Sequence, residues 1–472
     1  MAKRKIYISL ALTLTFLGFC SCSKDSVLPV VTQDGDPQNY FVAVTDSSLF
    51  TTIDDLVYYI AQSNGDELGL STYILEALYS GQIYEIAKRN YIDVGITPEG
   101  DWKLQFERYN FTYNSVDVNG KPIVLSGAVI FPNNVPGTSR NYELDNITLF
   151  SPYHVAKNSS CVTMSGSPAM LRVLFNSMVV IPDTQGYGVS YGTRQPYFES
   201  AATARQAIDC ELAAIELAKK HKVGMCKTYG TYNIGSSLGA MTTMAVQKLL
   251  ETTEPLAVRS LIRLKSSFCS CAPLDLNAVL KHHASNLIIT NPMLLALIMN
   301  SVYYSNQNVF EGYTIANFMS NDFNMTHVRL GGVDYSLMSM MESLKYDALT
   351  INAEYLLNGL VSASTILSNN VYRGFAEGRD DKLCNLIKQI NDANNPALGW
   401  YPETDILIEH SQNDDYIPYS STFGAYEKLK YSKSGVGNPR VNFNTLYVPT
   451  HIAACVEGML TVLFTKDPVS GE

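Results

Sequence analysis

The chain has 472 residues, with 34 basic and 44 acidic side chains, a net charge of −10, and 46% hydrophobic residues. That length suits one large domain with insertions, or two domains, and the apolar content excludes a disordered polymer. The acidic balance argues against nucleic acid or an anionic lipid surface as partner.

In chain order, Lys3, Arg4 and Lys5 precede an apolar run from Ile6 to Phe19. The run is shorter than the ~20 apolar residues of a membrane span and reads as a leader. Cys20-Ser21-Cys22 follows. The pattern resembles a bacterial lipoprotein signal, in which a cysteine is lipidated after cleavage. Cys22, with the small Ser21 before it, is the better candidate, although Phe19 stands where the pattern has Leu. The resemblance implies a signal peptide over residues 1–21, a lipid anchor on Cys22, and a place in the cell envelope, at the outer membrane or surface of a Gram-negative bacterium. An ordinary secretory signal is the alternative. Losing the three basic groups of residues 1–21 takes the charge from −10 to −13. Seven cysteines lie beyond Cys22. An odd, scattered set is not a disulfide framework. Cys269 and Cys271, two apart in a strand-like run, are expected on one face.

Residues 22–45 are polar, with Pro29, Gly35 and Pro37, and read as a tether. Apolar residues at helical spacing, such as Ile53, Leu56, Val57 and Ile60, predict a helical N-terminal extension over 46–105. Alternating residues from Arg108 to Val116, Asn119-Gly120, and Ile123 to Phe131 predict an antiparallel hairpin. Short apolar strands are expected at Ile147–Phe150, Met178–Asp183, Thr228–Ile234, Lys265–Cys271, Asp405–His410 and Val441–Val448, with helices at Glu199–Lys220, Leu238–Leu250 and Ser420–Tyr431. Apolar strands alternating with helices give an α/β fold: a mainly parallel central sheet with helices on both faces. The segment 276–403 is rich in Met and Leu and shows no strand signal. It reads as a mostly helical cap. The sheet domain is thus expected in two parts, 106–275 and 404–472.

Gly235-Ser236-Ser237-Leu238-Gly239 is a G-x-S-x-G between a strand-like run and a helical run. The spacing has a geometric reason. A strand turning abruptly into a helix puts the serine at the apex and leaves no room for side chains two residues to either side. A second match, Gly188-Val189-Ser190-Tyr191-Gly192, is followed by Thr193-Arg194-Gln195-Pro196, which cannot start a helix directly. Ser190 is therefore read as a loop serine and Ser237 as the candidate nucleophile. A serine nucleophile needs a base, and the base an orienting carboxylate. Five of the seven histidines follow Ser237. The loop after the Asp405–His410 run offers Asp414, with Asp415 as runner-up, and only His451 follows them. No H-E-x-x-H occurs, and the adjacent His282 and His283 point in different directions on a helix or a strand. No metal centre or organic cofactor is expected.

These segments together resemble the α/β-hydrolases, most of all their secreted lipase and serine-esterase branch, from about Tyr109 to the C-terminus excluding the cap. Val180 to Ser190 is similar to that family's "P-D-x-x-G-x-G-x-S" loop, and His410-Ser-Gln-Asn-Asp-Asp-Tyr-Ile-Pro418 to its "H-G-x-x-D-x-x-V-P" segment. The resemblance implies Ser237 as nucleophile, Asp414 as the acid and His451 as the base of an ester hydrolase acting through an acyl-enzyme. It implies the Leu238 amide as one oxyanion donor. Tyr153-His154-Val155 stands where the family has His-Gly, so Val155 replaces the glycine beside the second donor. The implied partner is a small-molecule or lipid ester, with the membrane reached through the N-terminal anchor. A peptidase or glycan-directed esterase on the same fold, and a non-catalytic surface-binding lipoprotein, are the rival readings.

Overall fold

The computed structural model describes residues 29–32, 37–63, 68–92, 104–133, 143–432 and 436–471. The expected signal peptide, Cys22 and the first part of the tether lie outside the described residues. Nine strands form one sheet: β1 (Phe41–Phe50), β2 (Phe106–Val116), β3 (Pro122–Pro132), β4 (Glu143–Ser151), β5 (Ser177–Pro182), β6 (Gly224–Ser236), β7 (Leu264–Ser270), β8 (Asp405–Ser411) and β9 (Val441–Leu446). Their order is β9-β8-β7-β6-β4-β5-β3-β2-β1. From β9 to β5 every pairing is parallel, while β5–β3, β3–β2 and β2–β1 are antiparallel.

Both faces of the parallel part are covered, which explains its continuous apolar runs. All six residues of β5 are buried. Successive side chains of a strand point to opposite faces. Met178 and Val180 accordingly join the core under the helix Ser200–Lys220, whereas Val179 and Ile181 join the one under the closing helix His451–Phe464. Between β7 and β8 lies a cap whose apolar core, which includes Leu295, Ile298, Phe318, Met340 and Tyr355, is continuous with Tyr197, Phe198, Met241 and Ile417 of the sheet domain.

Three expectations need correction. The tether and helical extension, read as meeting at residues 45 and 46, are crossed by β1, which pairs with β2 along the sheet edge. Val30–Val31 and Pro37–Gln38 also pair as a small ribbon. Helices of the extension begin at Ile53. β1 is exposed on both faces over most of its length, so it carries no apolar alternation to read. The cap holds a hairpin, His327–Leu330 with Val333–Ser336, turned by Gly331 and Gly332 at φ +56° and +81°. Four-residue strands are too short for a periodic signal. Finally, Cys269 and Cys271 belong to different apolar clusters. Cys271 lies past the end of β7 with φ 55°, and the strand's alternation has stopped there.

The closing helix is pinned at its C-terminal end by a buried cation. Arg172, fully buried before β5, donates from its two terminal nitrogens to the carbonyls of Val462 and Lys466, each at 2.7 Å, and also to that of Thr465. A positive group on the last carbonyls of a helix satisfies orphan acceptors and complements the helix dipole. Burial pulls the guanidinium pKa down to about 10, so it stays charged at neutral pH. Replacing Arg172 by Met leaves those carbonyls unpaired. The expected loss is about 3 kcal/mol, the upper range for hydrogen bonds to a charged group, read as a lower urea midpoint at unchanged slope.

Candidate active site

β6 ends at Ser236 and the helix Leu238–Thr252 begins two residues later. Ser237 makes that turn alone, at φ 53° and ψ −124°, a left-handed conformation costly for a residue with a side chain. Its amide donates to the carbonyl of Ser270 at 2.8 Å. A Cβ on Gly235 would overlap the backbone of Gly239, and a Cβ on Gly239 would overlap the carbonyls of Ser151 and Pro152. Glycine at both places lets the turn exist. The second G-x-S-x-G does other work. Ser190 is 5% exposed, and its hydroxyl donates to the Tyr187 carbonyl and accepts from the Gly186 amide, both at 2.9 Å. It ends a single 3-10 turn, Gly188–Ser190, in the connection from β5 to the helix Ser200–Lys220, where the sequence predicts a loop.

The structure brings Ser237, His451 and Asp414 together. The Ser237 hydroxyl lies 2.9 Å from Nε2 of His451, and Nδ1 of His451 lies 2.7 Å from Oδ2 of Asp414. Asp414 follows β8, and His451 opens the helix that follows β9. Oδ1 of Asp414 accepts from the amides of Tyr416 at 2.9 Å and Ile417 at 2.7 Å, which fixes the carboxylate. The Tyr416 ring stacks on the His451 ring at 5.2 Å. Asp415 has a separate place: its Oδ1 accepts from the backbone amide of His451 at 2.9 Å. It anchors the first turn of the closing helix, beside the N-cap Thr450. The order of two adjacent acids gives no sign of this division. His410 donates from Nε2 to the Ile417 carbonyl at 2.9 Å and lies 3.3 Å from Oδ2 of Asp414.

Cys455, one helical turn after His451, is a site neighbour that the G-x-S-x-G and acid motifs do not point to. Its sulfur lies 3.5 Å from the same Nε2 that faces Ser237. The i, i+4 spacing was the available signal. Burial acts against charging His451, but the Cys455 sulfur and the Asp414 carboxylate outweigh it and hold the imidazole pKa well above the usual histidine range. Burial would raise the Asp414 carboxyl, and the imidazoles of His451 and His410 overcome it and hold it well below the usual range. Ligand atoms of Cys271, His410 and Asp414 lie within 4.8 Å of one another, yet both Asp414 oxygens are already engaged.

Ser237 opens into a cavity of about 410 Å³. Its walls come from both parts of the chain: Phe198 and Ile417 from the sheet domain, and Met293, Leu294, Leu297 and Leu349 from the cap. The cap thus covers the ends of the strands. Leu238 lines this cavity, and its amide belongs to the first helical turn, where no intrahelical acceptor exists. Val155 does not line it. Val155 borders a smaller neighbouring cavity, and its carbonyl accepts from the Tyr187 hydroxyl. Tyr153 and His154 line both cavities.

No protein-family profile and no curated protein sequence matches the chain. Solved structures do. The rice cell wall degrading esterase LipA from Xanthomonas oryzae is similar with a TM-score of 0.59 and 19% identity, over 79% of this chain and 92% of that one. Candida antarctica lipase A in its closed state is similar with a TM-score of 0.51 and 11% identity, over 90% of this chain and 84% of that one. Together with the strand order and the turn at Ser237, these likenesses place the chain in the α/β-hydrolase fold.

Proposed function

We propose that the protein is a serine hydrolase that cleaves carboxylic esters through Ser237, His451 and Asp414. The observation that carries this is the unbroken line of hydrogen bonds from the Ser237 hydroxyl through both ring nitrogens of His451 to Asp414. The strained turn that presents the hydroxyl to the cavity adds to it. In this reading His451 takes the proton of Ser237 as its oxygen attacks the ester carbonyl. The Leu238 amide stabilises the oxyanion. His451 then returns the proton to the departing alcohol. Water, activated by the same ring, hydrolyses the acyl-enzyme while Asp414 holds the tautomer and offsets the imidazolium charge. The apolar cap walls favour a hydrophobic acyl group or an aromatic ester. That two proteins of this fold are named an esterase and a lipase agrees with the reading.

A fluorophosphonate probe is expected to label the wild type and Ser190→Ala but not Ser237→Ala. Turnover of p-nitrophenyl esters should fall by about 10⁴-fold or more in Ser237→Ala, the scale of losing a triad nucleophile. An unlabelled wild type would overturn the proposal. Leu297→Trp, which fills the cap side of the cavity, should shift the preferred acyl chain to shorter lengths at unchanged labelling rate.

The groups facing His451 are Ser237, Asp414, Asp415 through the backbone, Tyr416 and Cys455. The base works only when neutral, and its pKa is raised. The acidic limb of kcat/KM is therefore expected above the ordinary histidine value of about 6.5. Activity is lost as pH falls through that limb. Cys455→Ala removes one raising contribution and should move the limb downward. A limb at or below the ordinary value in the wild type would contradict this.

We also propose that Cys22 carries a lipid anchor. Cys22→Ser should then move the protein from the membrane fraction to the soluble fraction.

A further inference from the structure

The loop after β4 holds a histidine that the triad does not use. Both ring nitrogens of His154 are buried and have no hydrogen-bond partner among the described residues. The ring packs edge-on against Tyr197, with centroids 4.9 Å apart. A buried imidazole left without partners is costly, because each polar atom has given up water for nothing. The ring lines the cavity into which Ser237 opens, together with Leu238. A molecule entering that cavity is the available partner.

The local geometry narrows the role. The β4 terminus and the N-terminus of the helix after Ser237 touch at Gly239, whose missing Cβ makes room for the Ser151 and Pro152 carbonyls. His154 is two residues beyond Pro152, so the loop carrying it is fixed against the turn carrying Ser237 and Leu238. Val155, the position expected beside the second oxyanion donor, borders a neighbouring cavity that His154 and Leu238 also line, but not the one into which Ser237 opens. A companion to the Leu238 amide must face Ser237 and Leu238 at once, as His154 does.

We propose that the His154 side chain donates a hydrogen bond to the substrate carbonyl oxygen as it becomes the oxyanion, and so serves with the Leu238 amide as the second donor. The inference rests on Ser237 acting as the nucleophile. His154 keeps its proton throughout: the carbonyl π electrons move onto oxygen as Ser237 adds, and return when the leaving group departs. Burial keeps the imidazole pKa down to about 4, so the ring is neutral under working conditions. A neutral imidazole has one N–H to give, and it polarises a carbonyl without protonating it.

The full chain is tested as wild type, His154→Phe and His154→Gln. Loss of one oxyanion donor costs about 10²–10³ in kcat. His154→Phe, which keeps the ring's bulk but not its N–H, should fall in that range with KM changed by no more than about threefold. His154→Gln, which keeps an N–H donor, should recover part of the loss. A purely structural ring would not give that recovery. A second readout uses the wild type alone, with ¹⁵N-labelled histidine. The N–H proton of His154 should move downfield when a methylphosphonate is attached at Ser237, because the bond to an anionic oxygen is short and charge-assisted. An N–H signal that does not move, or wild-type kcat in His154→Phe, would overturn the assignment. Ser237 labelled by the phosphonate with His154 unmoved removes this inference alone. Failure of the phosphonate to label Ser237 removes the hydrolase reading and this inference with it.

Discussion

Gly239 lies so close to the carbonyls of Ser151 and Pro152 that no side chain fits between them. This approach joins two strand ends that are neighbours in the sheet but far apart in sequence. β4 and β6 are parallel partners, with Ser151 opposite Gly235. Their register sets the end of β4 beside the turn at Ser237. Any residue larger than glycine would force the helix away from β4. The turn would open, and the hydroxyl would lose its relation both to His451 and to the loop bearing His154.

The remaining parts of the site come from the same sheet edge. Asp414 follows β8, and His451 opens the helix after β9; these strands pair in parallel with Ser411 opposite Leu446. In parallel sheets ligands gather at the carboxyl ends of the strands, because each crossover brings the next loop back to that edge. The 2.7 Å bond from His451 to Asp414 is thus a result of strand register plus a short loop. The two backbone amides that bind Oδ1 of Asp414 remove the carboxylate's freedom to rotate. A preset carboxylate loses little entropy when it orients the ring.

Much of this was legible in the sequence, for a physical reason in each case. Glycines two residues to either side of Ser237 record a steric requirement. The runs of β4, β5, β6 and β8 record burial on both faces. What escaped has no periodic signature. β1 is an exposed edge, and its Thr45-Asp46-Ser47-Ser48 stretch reads as polar chain. The cap hairpin is short. The parting of Cys269 from Cys271 depends on one left-handed residue at a strand end. The spacing from His410 to Pro418 singled out Asp414, but the place of Asp415 on the His451 amide depends on the path of a loop, which the pattern does not record. The family pattern marked the segment Tyr153-His154-Val155, of which Tyr153 and His154 line the Ser237 cavity and Val155 only its neighbour, a difference of side-chain placement that the pattern does not encode.

The closing helix shows how distant groups hold the base. Its first residue is His451, whose amide is bound by Asp415 and whose first turn is capped by Thr450. Its last turn is held by Arg172. Gly458 packs where a Cβ would overlap the Ser270 hydroxyl, and the Ser270 carbonyl accepts the amide of Ser237. One residue of β7 therefore meets both the helix of the base and the backbone of the nucleophile. The helix cannot rotate or slide without breaking a cap at one end or colliding with β7 in the middle. Cys455 rides on the same rigid turn as His451, so its sulfur stays near Nε2 whenever the ring is in place.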